Sequence, residues 1–308
     1  MILPTPLSSY NSKESLRLVE LLKEYRNSNC FNPSLIFFGD MIIISFRAYQ
    51  PIRRKPFHSY LLLFNKIDNS TKIINLSNHY SDYGIDNVAD PKLTILNEQV
   101  WLTFNTGYSQ KPNRLYLAQV FPEVNFPYLC QYASHRLIEK NWSFFIEDGV
   151  LKALYSISPL SILIATRKDE TKKIIHFDSQ FIDNPDPSLN GLRYISIGTQ
   201  AILRSNQLYL MAHMKKYFLG RRIYLGVPLR IMKMNNRYVQ IVSNKRFIHS
   251  YWSLIGSLKK HNPKLWSCTY FSGLQIKPDN NVILAYGIND QKYAFKELYF
   301  NKLWESHQ

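Results

Sequence analysis

One stretch of the sequence, residues 88–104, constrains the fold more than any other. It contains two short apolar runs, residues 93–96 and 100–104, separated by a polar turn. Two strand-like runs joined by a few turn residues are typical of a β-hairpin. Asp90 and Pro91 stand at its start, where Asp favours a turn and Pro suits the first residue of a strand. The stretch therefore predicts a hairpin that begins at an Asp-Pro pair.

The same pattern recurs four more times, in residues 31–47, 140–156, 198–213 and 271–287. The five turns lie at residues 40, 98, 148, 206 and 280, and subtraction gives spacings of 58, 50, 58 and 74 residues. Each spacing leaves room for four strands, with an insertion before the last copy. Repeats of about 40–50 residues with four strands are typical of β-propellers. We therefore predict an all-β, five-bladed propeller domain over residues 31–308; a β-sandwich whose hairpins merely look alike is the alternative.

The region before the first copy contains a predicted helix, within residues 7–30. Ser12 and Ser15 offer N-cap chemistry at its start. An apolar stripe with helical spacing follows, at Leu16, Val19 and Leu22 and, less regularly, at Leu18 and Leu21. We assign residues 1–30 to an N-terminal helical extension that covers the side of the propeller or the seam between its first and last blades.

The charge of the chain is unevenly distributed. Lys and Arg number 38 and Asp and Glu number 22, which gives a net charge of +16. No acidic residue occurs in the 92 positions between Asp186 and Asp279, which carry 15 Lys or Arg residues. At the chain average of 22 acids in 308 residues, 92 positions would hold about 6.6. This span should attract phosphates, nucleotides, anionic glycans or an anionic membrane surface; a solvated basic face without a ligand is the alternative.

Other features limit the compartment and the cofactors. The sequence contains no run of about 18 apolar residues, so we expect no transmembrane helix. Residues 1–6 lack the charged and apolar regions of a secretory signal. The three cysteines, Cys30, Cys130 and Cys268, show no metal-binding spacing and cannot all pair, which favours a reducing cytoplasm. No glycine-rich phosphate loop, zinc pattern or nucleophile elbow occurs. We expect no cofactor, no metal and no nucleic-acid partner.

Short motifs occur once per predicted blade, in order. They are Phe31-Asn32-Pro33-Ser34 with Ser45-Phe46-Arg47-Ala48, Asp90-Pro91-Lys92, Lys140-Asn141-Trp142-Ser143, Gly198-Thr199 with His213, Tyr224-Leu225-Gly226, and Tyr286-Gly287-Ile288-Asn289-Asp290. The ordered set, which spans residues 31–298, resembles the five-bladed propellers of glycoside hydrolase family 130. These are the mannoside phosphorylases and their relatives, together with a broader set of glycosyltransferases of this fold.

The sequence departs from the family pattern at several positions. Ala89 stands where the family has Glu before the catalytic Asp, and Lys92 stands where it has Arg. Ser196 and Ile197 replace the Arg-Gly that would precede Gly198. Phe144 replaces the Pro that follows the Lys-Asn-Trp-Ser motif. The Arg-to-Lys change at position 92 is not conservative where a bidentate contact is needed. The loss of the Arg before Gly198 affects the phosphate-binding set that the resemblance implies.

The resemblance implies a role for each motif residue. Asp90 would be the general acid of an inverting reaction, acting through a sugar hydroxyl, with phosphate as the nucleophile. The implied substrate-binding residues are Asn32, Arg47, Lys92, Lys140, Asn141, Trp142 and His213. Lys215, Lys216 and Tyr224 are the candidates for phosphate binding. The residues alone leave alternatives open, since Asp90 could simply cap the turn before Pro91 and Trp142 could pack between blades.

Three classes of function are compatible with these features. The first is transfer of a glycosyl residue, for example mannose, from an anionic donor. The donor is a sugar phosphate or a nucleotide sugar, and the other substrate is a sugar or oligosaccharide. The second is glycoside hydrolysis on the same fold, which needs a second carboxylate to activate water; residues 187–278 contain none. The third is a non-catalytic propeller that binds an anionic glycan or partner.

Overall fold

The computed structural model describes residues 3–23, 29–50, 57–108, 110–183, 195–235, 237–255 and 263–304. Three of the cations in the acid-free span, Arg193, Lys259 and Lys260, lie outside these ranges. Strands predominate in the described parts, and the helices are short, as the predicted all-β class requires.

The helices are α1 (Lys13–Leu21), α2 (Leu76–Ser81) and α3 (Asn301–Trp304), and a 3₁₀ turn covers Tyr251–Ile255. The strands, in chain order, are β1 (Thr5–Pro6), β2 (Asn29–Phe38), β3 (Met41–Tyr49), β4 (Phe57–Asn65), β5 (Thr71–Asn75), β6 (Ala89–Leu96), β7 (Gln99–Asn105), β8 (Leu115–Phe121), β9 (Tyr128–Tyr132), β10 (Ser143–Glu147), β11 (Val150–Ile157), β12 (Leu160–Asp169), β13 (Ile174–Ile182), β14 (Ile195–Ile197), β15 (Ile202–Arg204), β16 (Gln207–Phe218), β17 (Arg221–Met234), β18 (Arg237–Val242), β19 (Phe247–Ile248), β20 (Leu265–Ile276), β21 (Asn281–Ile288) and β22 (Lys292–Tyr299).

The chain divides into two compact units. The first, here called the central unit, comprises residues 34–187, and the second, the terminal unit, comprises residues 1–33 and 188–308. β2 to β5 form a four-stranded sheet, which belongs to the central unit from Ser34 onward, while residues 29–33 of β2 belong to the terminal unit. The runs β6 to β9 and β10 to β13 form an eight-stranded sheet, which is joined by parallel pairing of β9 with β13. Apolar residues from all three runs fill two buried clusters, one around Phe104 and one around Trp142.

The terminal unit contains a ten-stranded sheet. Its centre is the antiparallel pair β16 and β17, with β14 and β15 on the free edge of β16 and β18 against β17. Parallel pairing of β17 with β20 adds the antiparallel run β20 to β22. The core of this unit is a cluster around Leu7, Phe271 and Tyr286, all of which are fully buried.

All five hairpins predicted from the sequence are present. They join β2 to β3, β6 to β7, β10 to β11, β15 to β16 and β20 to β21. Turn residues in each of them have positive φ angles, as tight hairpin turns with the twist of the flanking strands require. These residues include Gly39, Asn97, Asp148, Ser205 and Asn280.

Nine residues of the region predicted to contain a helix, Lys13–Leu21, form α1. Ser12 and Ser15 cap it reciprocally: the Ser12 hydroxyl accepts the Ser15 N–H at 3.0 Å, and the Ser15 hydroxyl accepts the Ser12 N–H at 2.8 Å. Of the predicted apolar stripe, Leu18 and Leu22 are buried, whereas Leu16 is 54% exposed and was wrongly included. The helix lies against β22 of the terminal unit.

The described helices offer no membrane-spanning segment, since none of them is both long enough and apolar enough to cross a bilayer.

Candidate functional site

The start of β6 is irregular, and Asp90 lies at this irregularity. The register of β6 against β7 shifts between Ala89 and Lys92, and Asp90 has a φ of +50°. Such shifts are β-bulges, which re-aim a side chain away from the regular alternation of a strand. A non-glycine residue in the left-handed region is strained unless its surroundings hold it there, and such residues are enriched at functional sites.

Two serines from neighbouring strands hold the irregular segment in place. The hydroxyl of Ser45, on β3, donates to the carbonyl of Pro91 at 3.1 Å. The hydroxyl of Ser34, on β2, accepts the backbone N–H of Leu93 at 3.0 Å. All of these groups are buried, so the bonds are made in a low-dielectric setting. The backbone on the C-terminal side of Asp90 is therefore fixed from both strands.

The Asp90 carboxylate faces a cation. Arg47 Nη1 lies 3.4 Å from Asp90 Oδ1, and the two side chains are 17% and 18% exposed. The Arg47 guanidinium also stacks over the Phe57 ring, 5.1 Å from its centroid. The pair is thus oriented from the protein side and still open to solvent on the other.

Lys92 lies directly after this pair in sequence, and it is buried. Its side chain is 2% exposed, and Nζ donates to Asn141 Oδ1 at 2.8 Å. Burial lowers the pKa of Lys92 to about 7; the Asp90 carboxylate opposes this shift and the Lys140 ammonium adds to it. The sequence predicted Lys92 as a direct donor to substrate. In the structure its side chain is buried and hydrogen-bonded to Asn141, and its charge interacts with that of Asp90.

The other two residues of the Lys140-Asn141-Trp142 motif differ in their exposure to solvent. Lys140 is exposed, and its ammonium lies 3.3 Å from the Tyr108 hydroxyl. Trp142 is 1% exposed, and its Nε1 donates to the buried Glu139 carboxylate at 2.9 Å. The edges of Tyr155 and Phe177 cover the indole, with ring centroids 5.3 and 5.6 Å away. This geometry favours the packing role that the sequence had left open for Trp142.

Three of the predicted site residues occupy equivalent positions in successive runs of strands. Asn32, Asp90 and Asn141 all have positive φ angles, of 52°, 50° and 64°. Each lies seven residues before the first left-handed residue of the next hairpin turn, which is Gly39, Asn97 or Asp148. Hairpin geometry explains the positive φ angles of the turn residues. It does not explain the positive φ angles of Asn32, Asp90 and Asn141, which lie near the start of the first strand of each hairpin. We therefore regard the three as a repeated structural device that presents a short polar side chain.

Asn32 belongs to the terminal unit, where it meets another predicted motif. Its side chain is 3% exposed, and its Oδ1 has no hydrogen-bond partner among the described residues. A Cβ added to Gly287 would come within 1.9 Å of that oxygen. Gly287 is therefore required by the close approach of Asn32, which joins the first motif of the chain to the last.

A second cluster lies on the β16–β17 hairpin of the terminal unit. His213 is 1% exposed, and its ring centroid lies 4.3 Å from that of Tyr270 and 6.2 Å from that of Tyr224. Lys215 is paired with Tyr224 across the two strands, and its ammonium lies 5.8 Å from the Tyr224 ring. The Tyr224 hydroxyl also accepts from Arg222 at 3.5 Å. This cluster combines cations with aromatic surface.

Lys215 and Lys216 lie on opposite faces of β16. Side chains alternate along a strand, so Lys215 shares a face with His213 and with its cross-strand partner Tyr224. Lys216 projects from the opposite face and is exposed, whereas Lys215 is half-buried. A phosphate site formed by Lys215 and Tyr224 therefore leaves Lys216 out.

Sequence reasoning missed several residues of these clusters. Ser34 and Ser45 lie within the motifs at residues 31–34 and 45–48, but the motifs did not indicate their role. A serine hydroxyl near a turn often bonds to the backbone, and this was the available signal. Tyr108 and Tyr270 carried no local signal, because each reaches its cluster only through the fold of the chain. Arg222 lies two residues before Tyr224 on β17, so side-chain alternation along a strand could have identified it.

The comparison with solved structures gives three informative matches. A protein of glycoside hydrolase family 130, from a study of mannoside phosphorylases and of glycoside hydrolases that target β-1,2 mannosidic linkages in Candida mannan, is 12% identical, with a TM-score of 0.59 over 91% of this chain and 87% of that one. A mannose phosphorylase from Leishmania mexicana, in complex with phosphate ion, is 12% identical, with a TM-score of 0.58 over 94% and 95%.

The third match is a GDP-Man-dependent mannosyltransferase, also from Leishmania mexicana. It is 13% identical, with a TM-score of 0.59 over 94% of this chain and 96% of that one. No family model and no curated protein sequence matches the chain. At these identities the likeness establishes the fold and leaves the reaction to the site residues. The chain has the fold of these mannoside phosphorylases and mannosyltransferases, which confirms the resemblance predicted from its motifs.

Proposed function

We propose that the protein transfers a glycosyl residue, with mannose as the first candidate, from a phosphorylated donor and with inversion at the anomeric carbon. Two proteins of the same fold are described as a mannose phosphorylase in complex with phosphate ion and a GDP-Man-dependent mannosyltransferase. A sugar phosphate and a nucleotide sugar are both anionic, and both fit a chain with a net charge of +16.

The observation that carries the proposal is the geometry of Asp90. Its carboxylate is held on a bulge, in a left-handed backbone conformation, 3.4 Å from Arg47 and partly open to solvent. A residue that only capped a turn would not need the two serine anchors or the buried Lys92 beneath it. A fixed and reachable carboxyl group is what proton delivery to a glycosidic oxygen requires.

The chemistry assigns a role to each group. In the phosphorolytic direction, a phosphate oxygen attacks the anomeric carbon while the bond from that carbon to the bridging oxygen breaks. The leaving oxygen receives a proton that Asp90 supplies through a sugar hydroxyl. Arg47 orients Asp90 and donates to a sugar or phosphate oxygen. Asn141, held by Lys92, offers its amide to a sugar hydroxyl.

We assign phosphate binding in the terminal unit to Lys215 and Tyr224, with His213 behind them. The Lys215 ammonium supplies the charge, and the Tyr224 hydroxyl is already within reach of a second cation, Arg222. A cation held beside an aromatic ring and a hydroxyl donor is a suitable environment for a phosphate group.

Glycoside hydrolysis is the second candidate, since the family of one structural neighbour includes hydrolases that target β-1,2 mannosidic linkages. Hydrolysis needs a second carboxylate to activate water, and residues 187–278 contain no acid. A non-catalytic binder is the third candidate; the replacements Ala89, Lys92 and Ser196 in the motifs favour it. Both alternatives are separated from transfer by the experiment below.

For the fold, we propose that five hairpin-based units form the blades of a five-bladed propeller over residues 31–308. The five observed hairpins and the shared fold support this arrangement. An experimental structure would test it directly, and any other number of blades would contradict it.

The functional test uses Asp90→Asn with a matched control. Release of phosphate or nucleotide is measured across a panel of sugar phosphates and nucleotide sugars with oligosaccharide acceptors. General acid catalysis typically contributes about 10²–10⁴-fold, so Asp90→Asn should lower the rate by at least that order while donor binding persists. Asp148 also has a positive φ, of 55°, but lies at an exposed hairpin tip, so Asp148→Asn should keep the wild-type rate.

Each outcome has a defined meaning. Release of free sugar without a donor-derived phosphate or nucleotide would identify a hydrolase. Wild-type rates for Asp90→Asn would remove Asp90 from the chemistry. Binding of donor with no turnover on any substrate, in the wild type as well as the variant, would identify a non-catalytic binder.

A further inference from the structure

The tip of the β16–β17 hairpin presents apolar side chains to solvent. The two strands run for 12 and 14 residues and stay paired up to Phe218 opposite Arg221. Leu219 and Gly220 form the turn with φ angles of 47° and 73°, as a tight hairpin turn requires. Tyr217, Phe218 and Leu219 are 56%, 50% and 78% exposed. Consecutive exposed residues of this size at a rigid tip are unusual on a protein surface.

The apolar surface continues beyond the hairpin through Trp266. The Trp266 ring lies edge-on to Phe218, with centroids 5.1 Å apart. Its Nε1 donates to the carbonyl of Leu254 in the 3₁₀ turn. That turn exposes Tyr251 and Trp252, which are 50% and 72% accessible. The hairpin tip and the 3₁₀ turn are therefore linked within the terminal unit.

Cations lie on the same strands as these apolar groups and next to them in sequence. Lys216, Arg221 and Lys264 are exposed, and Arg222 is half-buried. The Arg221 guanidinium lies 5.9 Å from the Trp266 ring, and the Arg222 N–H donates to the Lys264 carbonyl at 2.9 Å, which fixes Lys264 beside the hairpin. Because residues 187–278 contain no acid, no carboxylate of this segment neutralises them.

We propose that this surface docks on an anionic phospholipid bilayer. Phe218 and Leu219 would enter the boundary between headgroups and acyl chains, Trp252 would lie at headgroup level, and the surrounding cations would meet the anionic headgroups. Aromatic and aliphatic side chains ringed by Lys and Arg are typical of interfacial membrane binding. The inference is independent of the proposed reaction and needs no catalytic turnover.

Charge and shape favour this occupant over others. A second copy of the chain that used the same surface in a symmetric dimer would place cations against cations. Free phosphate or a nucleotide would need no exposed Phe218 or Leu219, since these side chains donate no hydrogen bond. A bilayer satisfies the apolar tip and the cations together.

The test is sedimentation of the full chain with phosphatidylcholine vesicles, with and without phosphatidylserine. We expect binding to the anionic vesicles only. The variant Phe218→Ser with Leu219→Asn should weaken it by roughly tenfold or more, because the buried apolar area is lost. Ile67→Ser is the matched control, since Ile67 is 75% exposed on the central unit beside Asp68. Unchanged circular dichroism spectra establish that the variants are folded.

A charge variant separates the two contributions. Arg221→Glu should weaken binding about tenfold or more, because each cation near an anionic surface contributes about fivefold. Failure of the wild type to bind anionic vesicles overturns the proposal. Binding that survives the Phe218 and Leu219 changes also overturns the proposal. The same holds if soluble glycerol phosphate abolishes binding at low concentration, because either result would indicate a headgroup site without insertion. If the wild type fails to bind anionic vesicles, an acidic protein becomes the favoured partner for this surface.

Discussion

The Asp90 cluster of the central unit and the β16–β17 hairpin of the terminal unit both concentrate cations, but they do so differently. In the first, Arg47 lies 3.4 Å from a carboxylate and Lys92 is buried. In the second, Lys216 and Arg221 are exposed, and the acid-free span supplies no carboxylate partner. Interior charges are set by burial and fixed neighbours, whereas surface charges are set by solvent, salt and ligands. The two regions should therefore respond to different perturbations.

The largest effect should come from the buried Lys92. Its pKa is about 7 in the folded protein against 10.5 for the ordinary value, so the unfolded chain binds more protons between these pH values. The free energy of unfolding should therefore rise as pH increases from 7 toward 10, on the order of 3 kcal/mol. Below about pH 7 the cost of the buried charge is present in full. Urea unfolding at several pH values measures this rise.

Lys92→Met removes the titrating group and keeps much of its volume. The rise between pH 7 and 10 should be absent in this variant and present in Lys72→Met, which alters an exposed lysine. An equal slope in wild type and Lys92→Met would show that the buried ammonium does not titrate in this range.

The next effect concerns the ion pair. Arg47→Met removes the donor beside Asp90, and hydrogen bonds to charged groups contribute about 1.5–3 kcal/mol, so the transfer rate should fall about 10- to 100-fold. Arg167→Met, which alters an exposed arginine that contacts His176, should leave the rate unchanged. Steady-state rates on whichever donor of the sugar phosphate and nucleotide sugar panel the wild type uses provide the measurement. An unchanged transfer rate in Arg47→Met would show that the Arg47–Asp90 pair does not contribute to the reaction.

A smaller effect should distinguish the two faces of the hairpin. Lys215→Glu should weaken phosphate binding about tenfold, because the ammonium beside Tyr224 becomes a carboxylate. Lys216→Glu, on the opposite face of the same strand, should change it by less than about twofold. Isothermal titration with inorganic phosphate measures both. Equal losses in the two variants would indicate a diffuse field in place of a site.

The smallest effect should come from salt. Raising ionic strength from about 0.05 to 0.5 M should weaken phosphate binding several-fold, because exposed charges are screened beyond about 10 Å at 0.1 M. The same change should barely alter the pH at which Lys92 titrates, because Lys92 is 2% exposed. Similar salt dependence at both places would remove the distinction between the two regions.

Local chemistry allowed much of the fold to be predicted. The five hairpins follow from alternating apolar runs and from Gly, Asn and Asp at the turns, which depend on a few neighbouring residues. The Ser12 and Ser15 cap is equally local, and it is present. Asp90 and Pro91 predicted only a turn at the start of β6 from local chemistry, whereas Asp90 became the candidate general acid through the resemblance of the ordered motifs.

Long-range packing decided the rest. The sequence could not show that Lys92 is buried against Asn141, that Trp142 lies in a core with Phe177, or that β17 pairs in parallel with β20. Burial and pKa depend on residues that are distant in sequence, and side-chain type alone does not encode them. The sequence determined which segments become strands and which residues can carry a charge; the tertiary structure decided which charges are buried, paired or exposed to solvent, because desolvation depends on the neighbours that the folded chain supplies.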